Sequence, residues 1–335
     1  MQRAAPLLLL EPLLAELGSS LPEALTGSGV AAGDLRPGGF IPYGAFLAIL
    51  DRAAALTGRD DIGLLLGQRQ GLSALGPLGV AMRHAATLGE ALSAFASFQI
   101  SNSTGGAVYL LRSEEDIILG YGVYDASIQA FPRIYDMVLA VGCNLVRELT
   151  EGEVEPVEIL LSRRAPRDHG PYRQLARCSL RFGQSQTGLV LKASQLAVRL
   201  PAARRDLCDD ALSQLMRSSG GAEPRVSTKL RHVLRPCLLM GQGQMAHVAQ
   251  HLGLHPRSLR RHLKAENTSF AAISEEVRSA AARELLLLGA LDIGDIAATL
   301  NYSSASAFVH AFRRWTGISP ALWRNQAQAR DLHRT

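Results

Sequence analysis

Two stretches near the C-terminus repeat one plan. The first runs from Met245 to Lys264 and the second from Ile293 to Arg314. Each reads as a short helix, a tight turn and a second helix rich in basic or small polar residues. That is the helix-turn-helix plan, in which the second helix enters a DNA major groove. Two copies on one chain predict a single arm that meets two groove segments.

The residue types fit the plan position by position. In the first copy Ala249 is small, as the close crossing of two helices requires. Gly253 falls at the turn, where a positive φ is cheap for glycine. Pro256 suits the first turn of the next helix, where its missing N–H is not needed. Leu252, Leu254, Leu259 and Leu263 form the buried side. Arg257, Ser258, Arg260, Arg261 and Lys264 face outward, and arginine can take guanine bidentately or grip phosphate.

In the second copy Ala297, Leu300 and Asn301 replace Ala249, Leu252 and Gly253. Asparagine also accepts the left-handed turn conformation. Phe308 and Phe312 replace Leu259 and Leu263, with one extra residue in the turn. The outward face is Ser304, Ala305, Ser306, His310, Arg313 and Arg314, a weaker reading surface.

Between the copies, Phe270, Ile273, Val277, Ala281, Leu285 and Leu288 recur at spacings of three and four. This is the stripe of an amphipathic helix over Ser269–Leu288, with Gly289 as its C-cap and Asp292 and Asp295 capping the next helix. Such a helix is ~30 Å long. Major-groove faces on one side of B-DNA recur every ~34 Å. A rigid connector of that length would present both second helices to successive grooves.

Charge follows the same division. Val226–Thr335 carries 14 Lys and Arg against 7 Asp and Glu, while the remainder has 21 against 23. Seven of the nine histidines also lie in those last residues. A basic unit joined to a near-neutral one is the footprint of a polyanion-binding module on a sensing or assembly domain. Charge alone does not separate DNA from RNA or anionic lipid.

At 335 residues, two or three domains with real cores are expected. With 47% hydrophobic but only 5% aromatic residues, the cores must be mostly Leu, Ala and Val, which favours helix. No apolar run approaches ~18 residues, so no membrane span is expected. The Leu7–Leu10 run is broken by Glu11 and Pro12, which fits a short amphipathic helix through Leu17 better than a signal peptide. Cys143, Cys178, Cys208 and Cys237 are scattered without a CxxC pair, as expected of free thiols in the cytoplasm.

Ser218–Pro224 is small, Gly-rich and flanked by helical patterns, so residues 218–225 are expected to link residues 1–217 to residues 226–335. The N-terminal part reads as α+β. Helices are expected over Tyr43–Thr57, from Asp60, from Thr87 and over Phe131–Thr150; strands over Ala107–Arg112, Asp116–Val123, Val157–Leu161 and Gly188–Leu191. Met1–Leu35 is expected to dock as a helical hairpin. The C-terminal part shows no strand and reads as six or seven helices. Phe95, Phe98, Tyr124, Phe131 and Tyr135 are candidates to line an apolar effector pocket, with Asn102 supplying polarity; the alternative is that they are core.

The C-terminal stretch Asp292–Trp323 resembles the signature of the AraC/XylS family of bacterial transcription regulators. The resemblance is carried by Ile296-Ala-Ala-Thr-Leu300, Tyr302–Phe308, Phe312-Arg-Arg-Trp-Thr-Gly317-Ile-Ser-Pro320 and Leu322-Trp-Arg324. The family usually has Gly and Phe where this chain has Asn301 and Tyr302. The resemblance covers about 90 residues and implies a seven-helix DNA-binding domain, all-α, with a linker helix between its motifs. It implies base reading by Arg257 and Arg261 in the first motif and by Ala305, Ser306 and His310 in the second. Ala305 offers a base no hydrogen bond. Ser258 and Ser304 share these reading faces, while Arg260, Lys264, Arg313 and Arg314 are expected mainly to grip phosphate.

The N-terminal part is similar to the effector domain of ornithine-utilisation-type regulators. Gly63-Leu-Leu-Leu-Gly67, Gly76-Pro-Leu-Gly79-Val80, Thr87–Leu92 and Phe182-Gly183 carry that likeness. It implies sensing of a small-molecule effector and a homodimer, and a regulator of this kind implies RNA polymerase as a partner. An N-terminal domain that only dimerises remains the alternative.

Enzyme chemistry finds no foothold. There is no phosphate-binding G-x-x-x-x-G-K-[ST] loop, no G-x-S-x-G elbow and no dinucleotide fingerprint, so no cofactor is expected. His247 and His251 have a zinc-compatible spacing but no third ligand, so no metal is expected. Asp209 and Asp210 read as a solvated helix surface rather than a catalytic pair.

Overall fold

Alternating apolar residues in two neighbouring runs build the centre of the N-terminal part. The computed structural model describes residues 1–113, 115–124, 132–166, 168–218 and 225–332. The expected linker therefore lies mostly outside the described residues, and so does Phe131. Two short strands, β1 (Gln2–Arg3) and β2 (Phe40–Ile41), pair near the N-terminus. Strands β3 (Gly106–Ser113) and β4 (Asp116–Val123) pair antiparallel, with Leu110 opposite Leu119. Strands β5 (Glu158–Leu161), β6 (Ser179–Phe182) and β7 (Thr187–Lys192) complete a mixed sheet in the order β3-β4-β7-β5-β6, in which only β5 and β6 run parallel.

Side chains alternate across a strand, so this sheet has two apolar faces. Val108, Leu119, Tyr121, Val123, Leu189 and Leu191 join the core formed with the N-terminal helices. Tyr109, Leu111, Ile118, Leu160 and Val190 form the opposite cluster, against Leu239 and Met240. A sheet with two apolar faces needs a layer on each. The second layer here is the first C-terminal helix, Val226–Leu239.

The N-terminal helices pack closely because glycines permit it. Helix Ile62–Gln68 lies on helix Pro132–Leu149. A Cβ at Gly63 would fall 2.1 Å from the Arg133 carbonyl oxygen, and one at Gly67 would fall 2.4 Å from that of Met137. Both pairs are spaced four residues apart, so one turn of each helix meets the other at backbone distance. Gly63→Ala is expected to cost about 1–3 kcal/mol through overpacking, read as a lower urea midpoint with an unchanged m-value.

Seven helices follow among the described C-terminal residues: Val226–Leu239, Met245–His251, Pro256–Ala265, Phe270–Leu288, Ile293–Thr299, Ala305–Thr316 and Pro320–Leu332. The connector Phe270–Leu288 serves two cores. Ile273 and Val277 pack with Leu259 and Leu263; Ala281, Ala282, Leu285 and Leu286 pack with Phe308 and Phe312. Ser269 Oγ accepts the Ala272 N–H at 3.1 Å, and Gly289 ends the helix at φ +67°. Asp292 Oδ1 accepts the Asp295 N–H at 2.7 Å, as the spacing of the two aspartates predicts.

Several short elements escape the sequence pattern, β2 and helix Gly170–Ala176 among them. β6 has only four residues, alternating exposed and half-buried, so it carries almost no apolar signal. β1 has two residues and precedes the docked helices Leu10–Glu16 and Leu21–Leu25, where only a helical hairpin is expected.

Candidate nucleic-acid interface and effector cavity

The first motif forms as its residues dictate. Ala249 is fully buried at the helix crossing, and Gly253 takes φ +65° in the turn. His255 caps the second helix, its Nδ1 accepting the Arg257 N–H at 3.2 Å, and Pro256 occupies the first helical position. Leu259 and Leu263 point into the core. Arg257, Arg260, Arg261 and Lys264 are exposed, and Ser258 is half-buried. Arg257 and Arg261 are four apart and so share a face. None of the four cations makes an ion pair among the described residues.

The second motif has the same shape and different chemistry. Ser304 is the N-cap, its Oγ accepting the Ala307 N–H at 3.1 Å. Counted from the caps, Ser306 occupies the place of Arg257, His310 that of Arg261 and Arg313 that of Lys264. Ala305 occupies the place of Pro256, a residue equally unable to hydrogen-bond a base through its side chain. Ser304, Ala305, Ser306, His310, Arg313 and Arg314 are all exposed. Arg314 pairs with Glu275 of the connector, so its grip on phosphate would compete with that carboxylate.

Asn301 takes φ +61° in this turn. Its Nδ2 donates to the Leu238 carbonyl at 2.5 Å, tying the second motif to the helix that precedes the first. Glycine could supply the φ but not that bond. Tyr302 packs against Phe308 and Trp315, with the Arg278 guanidinium 5.7 Å from its ring centre. Arg231 and Glu276 pair at 2.8 Å between the first helix and the connector. These ties hold the two motifs on one frame.

The frame meets the sheet at a buried ion pair. Arg235 lies on Val226–Leu239 and Glu284 on the connector, with side chains 3% and 0% exposed. The Arg235 nitrogens donate to the two Glu284 oxygens at 2.5 and 2.7 Å, and Nη1 also donates to the Val123 carbonyl of β4 at 3.1 Å. A Cβ on Gly122 would lie 2.3 Å from Arg235 Cδ, so glycine makes room for the guanidinium. Burial disfavours the Arg235 charge, but Glu284 more than offsets it and holds the pKa above its ordinary value. Arg164 Nε adds a bond to the Gly289 carbonyl at 2.7 Å. Sequence reasoning missed this junction. The available signal was Glu284 itself, seven residues after Val277 on the buried stripe of the connector.

A cavity of about 850 Å³, counting its open mouth, lies on the other side of the sheet. Helix Leu88–Phe98 and the turn after it, β3, β4, β7 and helix Pro132–Leu149 enclose it. Of the aromatic and polar candidates, Phe95 and Asn102 line it. Phe98 packs half-buried against the core, away from the cavity lining. Tyr135 is fully buried, its hydroxyl accepting the Val123 N–H at 3.3 Å. Tyr124 belongs to the core beneath the first C-terminal helix, its ring 5.0 Å from that of His232. Burial pushes the His232 pKa down to about 4, so this histidine is neutral at pH 7.

An α+β unit with a cavity, backed by a helical arm with two helix-turn-helix motifs, defines a DNA-binding transcription regulator. Residues 18–200 match the profile of the arabinose-binding domain of AraC transcription regulators, and residues 248–326 match a helix-turn-helix domain. The chain belongs to the AraC family of transcription regulators. It is 29% identical over 293 residues to the HTH-type transcriptional regulator VirS of Mycobacterium tuberculosis, covering 85% of this chain and 84% of that one. It is 28% identical over 304 residues to the ornithine utilization regulator of Pseudomonas aeruginosa, covering 86% and 85%. The crystal structure of the transcriptional regulator CdpR from Pseudomonas aeruginosa is 25% identical, with a TM-score of 0.42 over 86% of this chain and 93% of its own. The matched proteins are regulators, not enzymes. Among the described residues no helix is long and apolar enough to cross a membrane.

Proposed function

We propose that this regulator is a cytoplasmic, sequence-specific activator controlled by a small organic effector. Residues 1–217 would bind the effector, residues 218–225 would link, and residues 226–335 would bind DNA. The observation that carries the DNA reading is the set of exposed, unpaired cations Arg257, Arg260, Arg261 and Lys264 on one helix. Arg257 and Arg261, with Ser258 beside them, read base edges; Arg260, Lys264, Arg313 and Arg314 hold phosphates. Ser304, Ala305, Ser306 and His310 form the second and weaker reading face. The 19-residue connector, ~28 Å long, matches the spacing of successive grooves on one side of the duplex. Activation is the direction the family likeness favours, with RNA polymerase as the protein it would contact.

The sheet offers a route from effector to DNA. Leu119 and Tyr121 of β4 line the cavity, while Gly122 and Val123 of the same strand touch Arg235. Filling the cavity would bear on the strands that carry the interdomain ion pair. A homodimer belongs to the same proposal. Leu207 and Met216 are exposed on helix Arg205–Ser218, which packs beside the helix bearing exposed Val80.

Arg261→Ala is expected to weaken specific binding by about 1–3 kcal/mol and to relax preference at one base pair. Binding selection followed by sequencing reads both. An unchanged sequence preference would show that the first motif is oriented differently.

A further inference from the structure

The cavity is chemically lopsided. Ile134, Met137, Val138, Val141, Leu119 and Leu189 make apolar walls. The polar groups gather around β1 and the turn after helix Leu88–Phe98. There, Arg3 Nε, Gln99 Oε1 and Asn102 Nδ2 are buried with no hydrogen-bond partner among the described residues. The backbone brings these three residues together. The Arg3 N–H donates to the Asn102 carbonyl at 2.8 Å, and Gln99 and Asn102 flank one turn.

Arg3 is the only charged residue that lines the cavity among the described residues. Its guanidinium lies against Gly76, where a Cβ would come within 2.7 Å of Nη2, and among the described residues it pairs with no carboxylate. Burial lowers its pKa, the mark of a cation partly stripped of water without an anion in return. Unpaired buried donors cost free energy, and a ligand that accepts from them recovers it.

From this we propose that the cavity takes an apolar monocarboxylate, with its carboxylate on Arg3 and Asn102 and its hydrocarbon body along helix Pro132–Leu149. A guanidinium takes a carboxylate by paired charge-assisted bonds, and the Asn102 amide adds a third donor. Gln99 Oε1 is left to accept from a ligand hydroxyl or a water. The same groups disfavour two other classes. A pentose would leave most of its hydroxyls against apolar walls. The ammonium of an amino acid would meet no acidic group and would face Arg3.

This inference rests on the effector reading above, and the test separates the two. Calorimetry on the full chain would compare decanoate and 4-phenylbutyrate with their alcohols, and with L-arabinose and L-ornithine. The straight-chain and aryl arms distinguish the two sources of the same chemistry. At least one carboxylate should bind about tenfold or more tighter than its alcohol. Arg3→Gln should erase that preference while leaving the alcohol's affinity unchanged; Asn102→Ala should reduce it, and serves if Arg3→Gln does not fold. Val138→Trp, which fills the apolar part, should abolish binding. Decanoate and 4-phenylbutyrate binding no better than their alcohols, a preference that survives Arg3→Gln, or binding that survives Val138→Trp, would overturn the proposal. Binding by arabinose or ornithine alone would overturn the ligand class and leave the effector reading standing. No binding by any of these compounds would count against both.

Discussion

Glu284→Ala is expected to destabilise the chain by about 3–5 kcal/mol, among the largest effects of any single substitution in this fold. The reason is the fate of Arg235. Its guanidinium is 3% exposed and bonded to both Glu284 oxygens and to the Val123 carbonyl. Removing the carboxylate leaves a buried cation with the Val123 carbonyl and the Tyr109 hydroxyl beside it but no counter-charge. Chemical denaturation of the purified chain reads the loss. Replacing both partners, Arg235→Met with Glu284→Leu, should recover most of it, because two apolar side chains remove the charges instead of stranding one. A loss below about 1 kcal/mol in Glu284→Ala would be the size of an exposed ion pair, and would mean that this junction is wet in solution. The same double variant is also informative for DNA binding. If the pair relays effector occupancy, the double variant should fold, bind DNA and no longer respond to ligand.

The ion pair also marks where sequence reasoning stops. The motifs were legible because each residue's role is local. Gly253 and Asn301 supply positive φ within their own turns, Ser269 and Asp292 cap their own helices, and Val277, Ala281 and Leu285 recur at the helical period. The family signature lies in the same local geometry. Arg235 and Glu284 stand 49 residues apart, and nothing in either neighbourhood names the other.

The effector candidates divide between cavity and core for a related reason, with Phe95 and Asn102 lining the cavity. Aromatic residues are pocket candidates by type alone, because burial is not visible in the sequence. Tyr135 is consumed by the core and Tyr124 by the contact with the C-terminal helices. The polar end of the cavity depends on Arg3, which reaches Asn102 only because the two-residue strand β1 folds back across the chain. A two-residue strand has no periodicity to read. Gly63 and Gly67 stand in the sequence only as part of a likeness. Their cause, backbone contact with Arg133 and Met137, needed the partner helix.

Phe312→Ala should be comparably severe, costing about 3–5 kcal/mol, but its damage should be confined. Phe312 is fully buried and touches Phe308, Trp315 and Trp323 edge-on or tilted, at the centre of the small aromatic core of the second motif. That core is built of interlocking rings, so a lost ring leaves a cavity that alanine cannot fill and its rigid neighbours cannot easily close. The first motif draws on a separate cluster around Leu259, Leu263 and Val277. The expected footprint of Phe312→Ala is therefore half the normal length, with the arginine-read half-site still protected and the other exposed. Affinity should fall while preference at the first half-site persists. Arg261→Ala should do the reverse, blurring the first half-site and keeping the footprint length. A Phe312→Ala protein that loses both half-sites together would mean that the connector, shared by the two cores, cannot hold the first motif without the second.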